Sequence, residues 1–325
     1  MKTVLVSGAS GVVGYGVLRC LRMSGRPLRL VGTSIYPESP ANAFSDVFEL
    51  APRTSADRYL DWLCDIIRRH EVDLVLPGIE EDVFHWTEHA AAIRAAGAVP
   101  ALNEPALVRL CADKWAFHER LAVAGLACAI DTALDLDFDA LAARFGTPFI
   151  VKPRRGFGSK GVARISTAFD LAAHRAAFGD LLMAQRLVGT DDLEFTVTAF
   201  GDGLGAAPAR MAMRRRLSRE GFTEIADVVA CAPFDAAIDD LCRLFRPVGP
   251  TNFQFRLHDG VPKLLEINPR VSSSASIRAA FGYNECAMAV DYFLFGKVPV
   301  QPPLRGGRAI RYTDEVVTYD DRVHL

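Results

Sequence analysis

Residues 251–274 read TNFQFRLHDGVPKLLEINPRVSSS and contain two runs in which polar and apolar side chains alternate. Successive side chains of a β-strand point to opposite faces, so Asn252 and Gln254 share one face of the first run. Glu266 and Asn268 likewise share one face of the second run. The Asp-Gly pair between the runs is typical of a turn, and the stretch therefore predicts a β-hairpin.

The register of this hairpin determines which polar side chains meet. Directly opposed residues of an antiparallel pair face the same side, and placing Gln254 opposite Glu266 requires a connection of odd length. Asp259-Gly260-Val261 supplies such a connection. We therefore expect Gln254, Glu266 and Asn268 to bring a carboxylate and two amide oxygens to one spot, while Leu265 points to the opposite face.

These oxygen groups are suited to a magnesium ion. Hard oxygen ligands of low total charge are typical of Mg²⁺ sites, in which water and substrate phosphates complete the coordination shell. The rigid segment Asn268-Pro269-Arg270 directs the guanidinium group of Arg270 to the same place. This group is well shaped to bind carboxylate or phosphoryl oxygens. A solvated polar face on an edge hairpin is the alternative interpretation.

The hairpin sequence resembles the ATP-grasp domains of the carbamoyl-phosphate synthase large subunit. The resemblance rests on residues 252–255 and 265–274, which read NFQF and LEINPRVSSS. It implies a mixed α/β and α+β fold, in which a Rossmann-like (pre-ATP-grasp) N-terminal domain precedes a two-lobed ATP-grasp domain. It also implies that Mg²⁺, or Mn²⁺ in its place, is bound by Gln254, Glu266 and Asn268. Arg270 is then the residue that contacts the reacting carboxyl group.

The order of predicted elements agrees with such an architecture. Strands and helices alternate through the first hundred residues, which indicates a parallel sheet, at 3–7, 12–23, 28–32, 59–69 and 74–76. A helix-start signal at 103–105 then opens a part with hairpin-like strand pairs. We place the strands of that part at 149–152, 181–185, 194–200, 251–257, 263–268 and 309–312, and its helices at 139–145, 275–281 and 285–295.

We divide the chain at the helix-start signal. The N-terminal domain is expected to cover residues 1–104 and the ATP-grasp domain residues 105–302. Within the second domain, lobe A covers about 105–186 and lobe B about 187–302. Residues 303–325 are expected to form a C-terminal extension.

Two features suit the phosphate groups of a nucleotide. Lys152 ends an apolar strand, and because lysines are seldom buried without a partner, it is expected to meet an anion. The loop 154–161 is rich in glycine and can bring backbone N–H groups close to phosphates, although a flexible surface turn is the alternative. The resemblance implies an ATP site that comprises Lys114, Lys152, Gly156, Gly158, Ser159, Lys160 and Gly161. A solvated lysine is the alternative for Lys114.

The resemblance also assigns the remaining parts of the nucleotide and acceptor sites. The backbone of Gln185, Arg186 and Leu187 would bind the adenine edge, and Glu194 would bind the ribose. Asp191 and Asp192 compete for that second role, because residues 190–193 extend the usual loop. The arginine-rich run 214–219 would lie near the acceptor. The expected catalytic residues are Lys152, Arg214, Arg216 and Arg270, with an exposed charged strand as the alternative for the two central arginines.

Two motifs in the first domain favour other functions. Gly8-x-x-Gly11-x-x-Gly14 is similar to a dinucleotide fingerprint, but residues 31–35 contain no acidic residue for the ribose, and we interpret the glycines as close helix-on-strand packing. His85-x-x-Glu88-His89 matches a zinc peptidase pattern, although an ordinary helix explains it more simply. Glu80 and Glu81 follow a predicted strand and are expected to hold an amine.

Composition narrows the class of substrate. A formal net charge of -2 gives no positive electrostatic field that would attract nucleic acid or anionic membranes. The seven cysteines are odd in number and show no disulfide pattern, which suggests free thiols in a reducing, cytoplasmic location. We therefore expect a soluble ligase that binds ATP, takes a small carboxylate and an amine or thiol, and releases ADP and phosphate. A homodimer is one expected assembly. An NAD(P)-dependent reductase and a non-catalytic ATP-binding module are the alternatives, and carbamoyl phosphate is not the expected product.

Overall fold

A computed structural model of the chain describes residues 1–156, 160–179, 181–218, 221–319 and 322–324. The strands form a five-stranded, a four-stranded and a six-stranded sheet and a small two-stranded hairpin. In this described part of the chain, no helix has the length and apolar character that crossing a membrane would require.

The first unit is a parallel sheet flanked by helices. Its elements in chain order are β1 (Lys2–Val6), α1 (Val12–Met23), β2 (Leu28–Ser34), β3 (Val47–Leu50), α2 (Tyr59–His70), β4 (Leu74–Leu76), α3 (Glu80–Glu88), α4 (Ala90–Ala96) and β5 (Val99–Pro100). The strands pair in parallel in the order β3-β2-β1-β4-β5. The predicted Rossmann-like arrangement is thus confirmed, and β3 is a strand that the sequence analysis missed.

Glycines allow α1 to lie unusually close to this sheet. A Cβ atom on Gly14 would lie 2.3 Å from the carbonyl oxygen of Gly8, and one on Gly78 would lie 2.8 Å from the Cα of Gly14. Because real side chains cannot occupy such space, these positions require glycine. The interpretation of the glycine motif as close packing is confirmed.

The second unit is a small antiparallel sheet with its helices. It contains α5 (Pro105–Cys111), α6 (Lys114–Val123), β6 (Thr132–Ala133), α7 (Phe138–Phe145), β7 (Phe149–Pro153), β8 (Ala163–Ile165), α8 (Ala168–Phe178) and β9 (Leu182–Gln185). The strand order is β6-β9-β7-β8. The central strand β7 buries Phe149 and Val151, so that Lys152 points to the other face.

The third unit is a larger antiparallel sheet. It contains β10 (Glu194–Asp202), β11 (Ala209–Leu217), β12 (Thr223–Val229), α9 (Asp235–Phe245), β13 (Val248–His258), β14 (Val261–Asn268), α10 (Ala275–Ala280), α11 (Glu285–Phe295) and β15 (Arg308–Ile310), followed by the hairpin of β16 (Val317–Tyr319) and β17 (Arg322–His324). The strand order is β14-β13-β10-β11-β12-β15. The segment that we predicted as a C-terminal extension therefore contributes a strand to this sheet.

One hydrophobic core joins the first unit to the third. Val4 and Leu18 of the first unit belong to the same buried cluster as Met211 and Met213 of β11 and Tyr283 before α11. Because interiors pack closely, such a shared core holds the two units in one relative position. The first unit is therefore fixed as a wall beside the third.

A candidate nucleotide and carboxylate site

A cleft of about 500 Å³ lies where the three units meet. It is lined by residues that follow β1 and β4 of the first unit, by strands of the second unit, and by the central strands of the third. The side chains that the sequence analysis selected and that line this cleft include Lys114, Lys152, Gln254, Glu266, Asn268 and Arg270.

Strands β13 and β14 form the predicted hairpin and bring three oxygen-bearing side chains together. Gln254 pairs directly with Glu266, and Asn252 with Asn268. Asn268 Nδ2 donates a hydrogen bond to Glu266 Oε1 at 3.0 Å. The side chains of Gln254, Glu266 and Asn268 thus offer oxygen donors with one negative charge between them, and this donor set fits Mg²⁺.

The hairpin reaches this register in a different way from the one that we predicted. The turn consists of only two residues, Asp259 and Gly260, with φ values of 50° and 77°, as type I′ turns require. The extra residue is instead Leu265, which forms a β-bulge between the pair Gln254–Glu266 and the pair Phe255–Leu264. The prediction of a three-residue connection is wrong because the bulge supplies the missing residue.

The bulge also changes the side to which one residue points. Leu265 lines the cleft next to Glu266 along the chain, whereas we predicted that it would face the core. A bulge re-aims side chains in this way and is common near active sites. Two consecutive residues of β14 therefore contribute an apolar surface and a carboxylate to one site.

Lys152 reaches the cleft from β7 and is nearly buried. It is 7% exposed, and its Nζ donates to Gln185 Oε1 at 2.9 Å. Burial lowers the pKa of Lys152 from 10.5 to about 8, while the nearby Glu266 carboxylate acts in the opposite direction. A buried ammonium with a neutral acceptor is electrostatically unsatisfied, and an anion such as a phosphate would stabilise it.

Lys114 begins α6 and contacts the glycine-rich loop. Its Nζ donates to the carbonyl oxygen of Gly156, which places the lysine beside the start of that loop. Gly156 and Lys160 line the cleft. Of the other predicted loop residues, Gly161 does not line the cleft, and two lie outside the described residues, namely Gly158 and Ser159.

The predicted adenine segment lies only partly at the cleft. Gln185 lines it, but Arg186 and Leu187 do not. Arg186 turns away, and its Nη2 donates to the carbonyl oxygen of Arg144 at 2.8 Å. Apolar side chains suited to the face of a planar base are nevertheless present in the cleft, at Ile150, Val162 and Leu265.

The arginine-rich strand β11 contributes Arg215 to the cleft. Side chains alternate along the strand, so Arg214 and Arg216 lie on the opposite face, where they are exposed. Arg214 pairs with Asp227 at 3.1 Å and Arg216 with Glu224 at 3.2 Å. The prediction that Arg214 and Arg216 face the cleft is wrong, because Arg215, which lies between them, faces it instead.

The alternation of β11 contains a signal that identifies Arg215. Met211 and Met213 are fully buried on its side of the strand, so the next residue on that face continues toward the interior. Arg215 Nη2 donates to Gln254 Oε1 at 2.5 Å and to Glu194 Oε1 at 3.0 Å. A guanidinium group therefore lies directly beside one of the candidate metal ligands.

Glu194 lines the cleft with both carboxylate oxygens occupied. Its Oε2 accepts a hydrogen bond from Arg256 Nη2 at 3.0 Å, and its Oε1 accepts one from Arg215. Arg256 Nη2 also donates to Asp191 Oδ1 at 2.8 Å. Neither Asp191 nor the adjacent Asp192 lines the cleft, so the geometry favours Glu194 among the three acidic candidates.

Arg270 follows the hairpin and connects it to the first unit. Its Nη2 donates to Glu80 Oε2 at 2.8 Å and to Asn268 Oδ1 at 3.2 Å. Glu80 begins α3, so this ion pair joins two units across the cleft. Glu81 also lines the cleft and makes no hydrogen bond or ion pair within the described residues. Its carboxylate is free to bind a cationic group.

The two motifs that favoured other functions have structural explanations. The Ser34 side chain at the end of β2 accepts a hydrogen bond from Ser10, where a dinucleotide site would have an acidic residue. Glu88 of the zinc-like pattern is exposed and pairs with Arg109 at 2.9 Å. Within the described ranges, no group of three or more His, Cys, Asp or Glu side chains is placed to hold a metal ion.

Two protein-family models match this chain. Residues 178–316 match the model described as "ATP-grasp in the biosynthetic pathway with Ter operon". Residues 18–114 match the model described as "PylC-like, N-terminal domain". The two matches fall on the third and first units, which agrees with the predicted order of domains.

Curated proteins are similar over about half of the chain. The formate-dependent phosphoribosylglycinamide formyltransferase of Synechococcus sp. (strain CC9605) is 30% identical over 175 residues, which cover 52% of this chain and 41% of that protein. This chain spans only 38% and 41% of the lengths of two curated relatives that it matches.

Solved structures extend the similarity to nearly the whole chain. The biotin carboxylase domain dimer of Hydrogenobacter thermophilus 2-oxoglutarate carboxylase has a TM-score of 0.73 at 14% identity, over 94% of this chain and 73% of that one. The L-amino acid ligase from Bacillus licheniformis has a TM-score of 0.65 at 17% identity, over 91% and 74%. At such low identity, these similarities establish the fold alone.

Proposed function

We propose that this chain, which joins a PylC-like N-terminal domain to an ATP-grasp domain, is a MgATP-dependent ligase. It would activate a carboxylate as an acyl phosphate and transfer the acyl group to an amine, with a thiol as the alternative acceptor. The observation that carries this proposal is the convergence of an oxygen-rich hairpin, two lysines and an arginine in one cleft. The second and third units supply these groups, from positions as distant in the sequence as Lys114 and Arg270.

The names of similar proteins support the same chemistry. The curated relative is a formate-dependent formyltransferase, so its name contains a small carboxylate. One structural relative was solved with MgADP and bicarbonate, and another is an amino acid ligase. We propose an amide as the product of this chain. Neither the reductase nor the zinc peptidase alternative has such support.

The nucleotide would be held mainly through its phosphates. Lys114 and Lys152 supply positive charge, and the backbone around Gly156 lies against Lys114 as a cover. Gln254, Glu266 and Asn268 would hold Mg²⁺, and Mn²⁺ is expected to replace it. When bound, the ion neutralises charge on the β- and γ-phosphate oxygens, as in other phosphoryl-transfer enzymes.

In the first step, a carboxylate oxygen of the substrate attacks the γ-phosphorus, and the bond from that phosphorus to the ADP oxygen breaks. Lys152 and Arg215 would stabilise the charge on the transferred phosphoryl group, while Arg270 would orient the carboxylate. The arginine is suited to this role because its planar donors match two carboxylate oxygens.

In the second step, the amine nitrogen attacks the acyl carbon, and the carbon–oxygen bond to phosphate breaks. Phosphate leaves with the bonding electron pair, and the nitrogen loses one proton. Glu81 is a carboxylate of the cleft without an ion pair among the described residues, and we assign to it the binding of the ammonium form and the acceptance of the proton that this group loses before it attacks. The departing phosphate takes the second proton, which the nitrogen loses as the amide forms.

We further propose a cytoplasmic protein that forms a homodimer. All seven cysteines are free thiols, which suits a reducing compartment. The biotin carboxylase domain of the Hydrogenobacter 2-oxoglutarate carboxylase, which shares the fold, is a dimer. Light scattering at several protein concentrations tests the assembly.

The decisive experiment measures the release of ADP and phosphate from MgATP with a panel of small carboxylates and amines. The proposal expects release that requires both substrates and that the Glu266→Gln variant lacks. Tight ATP binding without release for any pair would favour a non-catalytic module. A substrate-dependent absorbance change of NAD(P)H would instead favour the reductase.

A further inference from the structure

We propose that His118 is a positioning residue of the nucleotide site, whose neutral imidazole fixes the side-chain amide of Gln185 so that the amide oxygen holds Lys152. The inference rests on the proposed function because it gives Lys152 a role in binding MgATP. His118 does not line the cleft, and no motif selected it.

The three side chains form a buried chain of contacts. His118 Nε2 lies 3.0 Å from Gln185 Nε2, and Gln185 Oε1 lies 2.9 Å from Lys152 Nζ. The exposed fractions are 0% for His118, 3% for Gln185 and 7% for Lys152. Only the lysine end of this chain meets the phosphate side of the cleft.

Local structure places these side chains on facing surfaces. His118 follows Lys114 by four residues in α6, so both lie on one side of the helix. Gln185 pairs with Ile150 across β9 and β7, and Lys152 lies two residues further along the same face. One helix and two strands therefore set the positions of all the members.

The hydrogen-bond pattern determines the proton on the imidazole. The oxygen of Gln185 accepts from an ammonium group, so its nitrogen, which carries two hydrogens, faces His118 Nε2. The amide NH₂ group can donate to Nε2 only if Nε2 is unprotonated, which puts the proton of the neutral ring on Nδ1, a buried atom that has no hydrogen-bond partner among the described residues. Burial, followed by the positive charge of Lys152, lowers the pKa of His118 well below 6.5.

The orientation of the amide matters for the lysine. Without an acceptor at position 118, the Gln185 amide is free to turn and present its NH₂ group to the ammonium. Two donors would then face each other, and within the described chain Lys152 would lose the single hydrogen bond that the structure gives it. Since an unsatisfied buried ammonium is costly, its Nζ would move from the phosphate position.

A binding measurement distinguishes positioning of Gln185 by His118 from a purely structural role in which His118 only packs in the core. We would titrate MgADP and a non-hydrolysable MgATP analogue into the wild-type protein, His118→Phe and His118→Gln by calorimetry. The phenylalanine keeps the ring and removes the acceptor, so the dissociation constant should rise about tenfold, the value of one hydrogen bond. The glutamine restores an acceptor oxygen and should remain within about threefold of the wild type.

A matched control is His70→Phe. His70 lies in the first unit, where its Nε2 contacts Glu49 at 2.6 Å, far from the cleft in the fold. This variant should bind both nucleotides like the wild type. Unchanged binding by His118→Phe, or equal losses in His118→Phe and His118→Gln, would overturn the inference. A wild-type protein that binds neither nucleotide would overturn the proposed function itself.

A spectroscopic measurement tests the geometry without any ligand. In nitrogen-15 spectra of the nucleotide-free protein, the His118 ring should show the neutral form protonated on Nδ1 between pH 6 and 8, an interval on either side of the usual histidine pKa of about 6.5. A ring protonated on Nε2, or a cationic ring, would contradict the proposed contact with Gln185 even if nucleotide binding is confirmed.

Discussion

The two ends of the cleft are built differently. The nucleotide end consists of residues on paired strands and one helix start, namely Lys114, Lys152, Gln254, Glu266 and Asn268. The substrate end consists of residues that follow strands, namely Glu80, Glu81 and Arg270, together with the start of α1. Strand pairing fixes the first set in register, whereas loops and helix starts position the second.

This difference separates what the fold determines from what it leaves open. The hairpin that carries Gln254 and Glu266 cannot change register without exposing its apolar face. Exposed residues at a helix start, such as Glu81, can be replaced with little effect on the sheets. The nucleotide end therefore identifies the class of chemistry, and the substrate end selects the molecule. Variants at each end should have different kinetic effects.

The largest effect is expected for Glu266→Gln at the nucleotide end. The variant keeps an oxygen and its size but removes the one negative charge of the candidate metal ligands. We expect ADP release to fall roughly 10³-fold, the upper range for loss of a key electrostatic group. Glu88→Gln is the control, since Glu88 is exposed and its one ion pair among the described residues is with Arg109. Equal activity of Glu266→Gln and the wild type would show that the nucleotide end of the cleft takes no part in the reaction.

Two neighbouring arginines offer a second test. Arg215→Ala should lower the turnover number by roughly 10²-fold because a buried charge beside Gln254 is lost. Arg214→Ala removes an exposed ion pair with Asp227 and should change turnover less than about twofold. The same assay measures both variants. If Arg214→Ala lowered the turnover number more than Arg215→Ala, the opposite face of β11 would be the one that lines the cleft.

Lys152 gives the nucleotide end a defined pH dependence. Its pKa is lowered to about 8 in the free protein, chiefly by burial, so its charge is present below pH 8 and lost above it. The dissociation constant of MgATP should therefore rise by up to about tenfold per pH unit above 8. Lys152→Arg keeps its charge throughout this range and should bind with a flatter profile. Parallel profiles for the two proteins would exclude Lys152 as the titrating group.

The smallest effect is expected at the substrate end. Glu81→Gln should raise the KM for the amine about five- to tenfold through loss of a partly exposed ion pair, on the order of 1 kcal/mol. The KM for ATP should not change, and Glu88→Gln again serves as the control. A higher KM for ATP instead would show that the two ends of the cleft are not separate.

The sequence predicted the pairing of β13 with β14 well because the information for it is local. Alternation within two adjacent strands was sufficient to place Gln254 opposite Glu266. The wrong turn length did not disturb this result, since the bulge at Leu265 compensates for it. A bulge has no reliable local signal here, because an apolar residue fits either face.

Contacts between distant segments were harder to predict. Arg215 lies within the predicted run 214–219, but its two neighbours were expected to be the catalytic residues, although the alternating methionines before it contain the necessary signal. The arginine partners of Glu194 come from two other strands and depend on the order of the whole sheet. His118 is a single histidine in a helix, and only its contact with Gln185 distinguishes it from other buried histidines.

The shared core of the first and third units limits how freely this protein can be recombined. Val4 and Leu18 are buried with Met211 and Tyr283, and Arg311 donates to Tyr15 of α1 and to the backbone of Ser273. A fragment that begins at α5 would expose half of a hydrophobic interior and would be prone to aggregate. Chimeras designed to exchange the preference for the acceptor substrate should therefore transfer α1, α3 and the segment after β14 together, as one unit.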